Sequence, residues 1–247
     1  MKKTLLILSF TVCLISCSSY DDPSTDTLSR SELTKQYEYY KANAQKRIGQ
    51  TFQVLAANPS RSDDSAQITS SDLINLLVSM PKEKVDSLYN IYCTSEKEQE
   101  YEKLYSTSID ELIRQSSINE VQSFYNFAND YLESGGNNMI MLMDAIKDKA
   151  PIIQGCMINS AASIDEYLSA STVSRNANDY CLDTLLKEVV KSQIENVAID
   201  AGRAVAAALI ASPEVDALAG LLILGVDLYS SIKIAHEYNL CVATHVS

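Results

Sequence analysis

Cysteine and histidine are the residues of this chain best equipped for chemistry, and with 6 of one and 2 of the other each can be weighed singly. Cys13 and Cys17 stand in the N-terminal apolar stretch; Cys93, Cys156, Cys181 and Cys241 are spread over the body. A thiol can be alkylated, can pair as a disulfide, or can ligate a metal as thiolate. Both histidines lie near the C-terminal end, in His236-Glu237-Tyr238-Asn239-Leu240-Cys241-Val242-Ala243-Thr244-His245. Cys241 and His245 have i,i+4 spacing, which places them on one helical face, and His236 or Glu237 would complete a metal site. Against that site, His236-Glu237 lacks the second histidine of the zinc-protease motif, a disulfide at Cys241 would remove the thiolate, and chain ends fray. The expectation is no metal and no cofactor, with His236, Cys241 and His245 as the weak candidates. Of the four body cysteines, the preferred pairing is Cys156 with Cys181, closing a modest loop, and Cys93 with Cys241. Such a loop stabilises by about 3 kcal/mol. The alternative is four free thiols packed as small apolar residues.

Cys17 ends the string Met1-Lys2-Lys3-Thr4-Leu5-Leu6-Ile7-Leu8-Ser9-Phe10-Thr11-Val12-Cys13-Leu14-Ile15-Ser16-Cys17. Two lysines precede an apolar stretch, Leu5 to Ile15, that is too short to span a bilayer, for which about 20 apolar residues are needed. Leu14-Ile15-Ser16-Cys17 matches the lipobox, and the stretch resembles a bacterial lipoprotein signal. That resemblance implies cleavage before Cys17, a diacylglycerol on its thiol and acylation, as by palmitate, of the new amino group. Ser18 stands where an inner-membrane retention signal would carry Asp, as in outer-membrane lipoproteins. Ser19-Tyr20-Asp21-Asp22-Pro23 is similar to the export signal of Bacteroidetes-type surface lipoproteins. The implied address is the outer membrane, lipid-anchored at the cell surface, with a periplasm-facing orientation as the alternative. Residues 1–16 are then the signal peptide, 17–28 a lipidated flexible tether too polar to fold, and 29–247 a single all-α domain with a subdomain break near 134–138.

The elements that must position the body residues are helical. Capping-box spacing recurs at Ser29/Glu32, Ser95/Glu98, Ser108/Glu111 and Ser117/Glu120, each before apolar residues at helical intervals. Leu33, Tyr37, Tyr40, Ala44, Ile48, Phe52 and Leu55 form one stripe, which ends at Asn58-Pro59. Shorter helices follow around Leu73–Val78, up to Tyr92, and around Tyr101–Tyr105, and a longer one runs from Val121 to Leu132. Gly135-Gly136-Asn137-Asn138 tolerates positive φ and breaks the chain between an acidic, tyrosine-rich half and a more apolar one. Met139–Lys149 and a helix opened at Pro151 lead to two long helices, Leu182–Ala211 and Val215–Leu240, turned at Ser212-Pro213 into an antiparallel hairpin. No segment alternates at period two, and 7 glycines with 5 prolines are too few for the turns of a sandwich or barrel. The fold expected is all-α, a multi-helix bundle.

Charge excludes one class of partner. A net charge of -12 repels phosphate backbones and anionic lipid heads, so nucleic-acid binding is not expected and membrane contact falls to the lipid. The hairpin carries small residues, Gly202, Ala206, Ala207, Ala211, Ala217, Gly220 and Gly225, that suit close helix packing in a core. Arg203, Glu214, Asp216 and Asp227 interrupt its apolar surface, which disfavours insertion in lipid. Asp63-Asp64 and Asp130/Glu133 read as solvated surface rather than acid–base pairs. Tyr37, Tyr39, Tyr40, Tyr89, Tyr92, Tyr101 and Tyr105 are assigned to packing before an aromatic binding face. No phosphate loop, dinucleotide fingerprint or nucleophile elbow occurs. The expected role is a binding or interaction module, not an enzyme, with a protein or ligand partner. Its rivals are a toxin or pore-forming protein using the hairpin, and an immunity lipoprotein against such a toxin.

Overall fold

The computed structural model describes residues 28–56, 68–169, 179–208 and 213–245, the side chains of 179, 205–208 and 213–223 excepted. Among the described residues every regular element is a helix: α1 Arg30–Ala56, α2 Ser70–Ser79, α3 Lys82–Tyr92, α4 Ser95–Gln115, α5 Ile118–Glu133, α6 Met139–Ile146, α7 Pro151–Leu168, α8 Asp179–Ala208 and α9 Pro213–His245. The all-α bundle is thus the fold of this chain. Cys17 and its tether, Asp63-Asp64 and Ala211 lie outside the described residues.

Local chemistry accounts for most boundaries. Ser29 and Glu32 form the capping box that starts α1: the Ser29 N–H donates to the Glu32 carboxylate at 3.0 Å and the Glu32 N–H to Ser29 Oγ at 3.3 Å. At the other end Lys84 Nζ donates to the Leu55 carbonyl at 2.9 Å, satisfying one of the orphan acceptors of the last turn. A second capping box, Thr69 with Asp72, opens α2. Pro81 then precedes α3, and Pro151 occupies the first turn of α7, where its missing N–H costs nothing.

Three of the expected capping boxes are altered by the tertiary structure. Thr94, not Ser95, caps α4 by accepting from the Lys97 N–H, and Glu98 is drawn instead to Lys233 at 3.3 Å. Ser108 starts nothing: it lies inside the 21-residue α4, buried, with its hydroxyl bonded back to the Leu104 carbonyl at 2.8 Å. The short element around Tyr101–Tyr105 is therefore part of a longer helix. Ser117 does cap α5, but the Glu120 carboxylate reaches forward to the Ala150 N–H at 2.8 Å and ties the start of α7 to α5.

The core gathers around α7. Its buried residues run through Ile153, Cys156, Met157, Ile158, Ala161, Ala162 and Ile164, on every face, as expected of a helix enclosed by others. It packs against α1, α5, α6 and α8; α8 packs also on α4 and α9, and α9 returns across α3, α1 and α2. One apolar cluster therefore contains Leu33 and Phe124 from before the Gly135-Gly136 turn and Leu142, Ile153, Val197 and Ile232 from after it. At the turn Gly135, Gly136 and Asn137 take φ of 83°, 71° and 54°, the left-handed region that favours glycine and asparagine. The close approach that small residues permit is realised at Gly202 on α8: a β-carbon there would stand 2.7 Å from Ser108 Cα.

Candidate functional site

Among the described residues, polar chemistry concentrates in three places. Two lie inside the bundle, and the third closes the end of the α8–α9 hairpin.

The first is an ion cluster where α1, α8 and α9 meet. Arg47 donates through Nε and Nη2 to both oxygens of Asp227, at 2.8 and 2.6 Å, and through Nη1 to Asp200 at 2.7 Å. Asn196 Nδ2 adds a bond to Asp227 Oδ1 at 2.8 Å. The fork of a guanidinium matches a carboxylate in this bidentate manner, and a single arginine thereby fastens α1 to both arms of the hairpin. Burial works against the Arg47 cation, but Asp227 and Asp200 outweigh it and hold the proton more firmly than usual. Burial pushes the Asp200 carboxyl up to about 6; Arg47 pulls it down, and Asp227 adds to the rise. Every charge is engaged by a neighbour, which suits a clamp rather than proton transfer to a substrate.

The second is Asp165 on α7, 5% exposed. It accepts from the Tyr37 hydroxyl at 2.5 Å, the Tyr131 hydroxyl at 2.8 Å and the Asn137 N–H at 2.6 Å. The Gly135-Gly136 turn is fixed to the core by this carboxylate, and a β-carbon at Gly136 would land on it. Burial, then the bond to Asp165, raises the Tyr37 and Tyr131 phenols, which stay protonated as donors. The other tyrosines are likewise spent separately. Tyr101 donates to Glu195 at 2.8 Å and stacks on Tyr229, Tyr105 shares a hydrogen bond with Tyr125, and Tyr89 stacks on His236. Tyr39 stays exposed beside Tyr40. They do not assemble one aromatic face.

The third lies at the hairpin's open end. Cys181, in the first turn of α8, is disulfide-bonded to Cys241, near the end of α9, with Cα atoms 5.8 Å apart. This corrects the expected pairing of Cys156 with Cys181 and Cys93 with Cys241. Cys156 sits 1% exposed in the middle of α7, and Cys93 ends α3 with its thiol donating to the Tyr229 carbonyl at 3.6 Å. Both are free thiols. The antiparallel register brings Cys181 and Cys241 together because they stand at similar distances on either side of Ser212-Pro213, a signal present in the sequence but missed. Asn196 and Asp227 pair in the same register.

His245 joins the disulfide. Its Nδ1 lies 3.8 Å from Cys241 Sγ and 2.9 Å from the Cys241 carbonyl, and its ring lies against Tyr180 with centroids 5.2 Å apart. The i,i+4 reading of Cys241 and His245 thus describes their placement. His236 does not join them: its Nδ1 faces Asp86 at 3.3 Å, on α3. Cys181 takes the third place instead, and ligand atoms of Cys181, Cys241 and His245 all lie within 4.8 Å of one another. Glu188 and Glu237 line the small cavity beside the disulfide. Asp130 and Glu133 are exposed on α5. No helix among the described residues is long and apolar enough to cross a membrane.

Comparison with protein-family models, curated proteins and solved structures finds no match to this chain.

Proposed function

We propose that this protein is a lipid-anchored helical module of the outer membrane, displayed at the cell surface, that acts by binding a protein or ligand partner. The observation that carries the reading is the lipobox Leu14-Ile15-Ser16-Cys17, set only a short polar segment before the first helix at Arg30. Each buried CH₂ of an acyl chain contributes about 0.8 kcal/mol, so two or three chains hold a soluble body on a membrane without a protein span. A polar tether of this length has a root-mean-square reach of about 20 Å, which keeps the body near the bilayer yet free to turn. The acidic surface supports the same reading, because it leaves the lipid as the attractive contact with anionic headgroups. Inserting the hairpin into lipid would separate Asp227 and Asp200 from Arg47, leaving charges uncompensated in hydrocarbon.

The test is palmitate labelling and fractionation of cells expressing the wild type or Cys17→Ala, with protease shaving of intact cells. The wild type is labelled, membrane-bound and shaved, and Cys17→Ala loses label and membrane association. An unmodified Cys17 thiol in the mature protein would overturn the anchor. Protection of a labelled wild type would turn the module to face the periplasm.

A further inference from the structure

We propose that Cys181, Cys241 and His245 form a redox-gated site for a thiol-seeking divalent cation of the zinc class. Two thiolates and an imidazole are a donor set that such cations take in a tetrahedron, with bonds of about 2.3 Å to sulfur and about 2.0 Å to nitrogen. Donor atoms in that tetrahedron stand about 3.3–3.8 Å apart. Here the three ligand atoms lie within 4.8 Å of one another and Cys241 Sγ already stands 3.8 Å from His245 Nδ1, so once the disulfide opens the sulfurs need only part to tetrahedral spacing beside the His245 ring. The fold supplies the proximity. Cys181 comes from α8, Cys241 and His245 from one face of α9, and the register is held independently by Asn196, Asp227 and Arg47 further along the hairpin. With Cα atoms 5.8 Å apart, the two sulfurs can separate by side-chain rotation and still face one cation.

The disulfide is what gates the site, because a paired cysteine has no thiolate to offer. A dithiol reductant opens it by exchange: the Cys181–Cys241 bond breaks, the reductant's own S–S bond forms, and its two protons pass to the protein sulfurs. The cation then displaces those two protons, forming two metal–sulfur bonds, and His245 adds a neutral nitrogen lone pair. The fourth position stays open to water. Metal and disulfide are alternative staples for the same pair of helix ends.

The remaining cysteines serve as internal controls. Burial pushes the Cys93 thiol up to about 11 and the Cys156 thiol up to about 12, and neither belongs to the cluster.

The test uses the full chain purified metal-free in detergent, oxidised or reduced with a phosphine, and titrated with Co²⁺ as an optical probe while circular dichroism follows the helices. The reduced protein binds a single equivalent of Co²⁺ with thiolate charge-transfer bands that Zn²⁺ abolishes; the oxidised protein shows none. Cys181→Ser and Cys241→Ser lose the bands, Cys93→Ser and Cys156→Ser keep them, and His245→Ala weakens binding at least about tenfold. His245 is exposed, so that variant leaves the fold intact. Absent bands in the reduced protein, bands that survive Cys181→Ser, or an affinity indifferent to His245→Ala would each overturn the site. So would loss of helix on reduction, since the fold would then not hold the donors together.

Discussion

Replacing Asp200 with asparagine probes the Arg47 cluster through pH. Burial lifts the Asp200 carboxyl from an ordinary 3.8 to about 6, with Arg47 pulling against the rise and Asp227 adding to it. The folded chain then binds this proton more tightly than the unfolded chain. Stability contributed by the group is fully present below 3.8 and is lost as pH rises to about 6. At about 1.36 kcal/mol for each tenfold in proton affinity, the loss amounts to about 3 kcal/mol. The side chain is only 23% exposed, so solvent screens little of it. Asparagine has no proton to lose, and the Asp200→Asn chain lacks this fall. Urea unfolding, followed by circular dichroism at steps between about pH 3.5 and 7.5, gives two stability curves whose difference cancels the titrating groups that are not coupled to Asp200. The variant gains about 3 kcal/mol on the wild type across that range. Parallel curves would show that Asp200 titrates like a surface carboxylate, and the account of the cluster would fail.

Gly202→Ala loses about 1–3 kcal/mol in the same unfolding assay, because its β-carbon meets the Ser108 backbone, which cannot swing aside like a side-chain tip. Gly49→Ala, with nothing within 4 Å of the added carbon, gains up to about 1 kcal/mol of helix propensity. Asp165→Ala strands the Tyr37 and Tyr131 hydroxyls and the Asn137 N–H, and costs about 3 kcal/mol or more. Cys181→Ser removes a cross-link spanning 60 residues, worth about 4 kcal/mol by loop entropy, seen as a lower urea midpoint.

Helix formation was legible because it is written locally. The stripe of Leu33, Tyr37, Ala44, Ile48 and Leu55 is buried along α1, and Ser29 with Glu32 starts that helix as their spacing requires. Local signals misled where a distant partner competed for the same group. Glu98 answers Lys233 and Glu120 answers the Ala150 N–H, so neither closes its own capping box. Ser108 has the look of a cap, yet the apolar contacts of α4 carry the helix straight through it.

The chain by itself determined the helical class, the hairpin and the resemblance of its first residues to a lipoprotein signal, since periodicity, capping and the order of basic, apolar and cysteine residues are properties of neighbours in sequence. Tertiary structure decided which carboxylates share Arg47 and that Cys181 rather than His236 stands with Cys241 and His245, and it selected the one thiol pair that the spacing about Ser212-Pro213 allows. Those choices depend on helix register and packing angle, quantities fixed by the summed contacts of the whole core and encoded in no single stretch of residues.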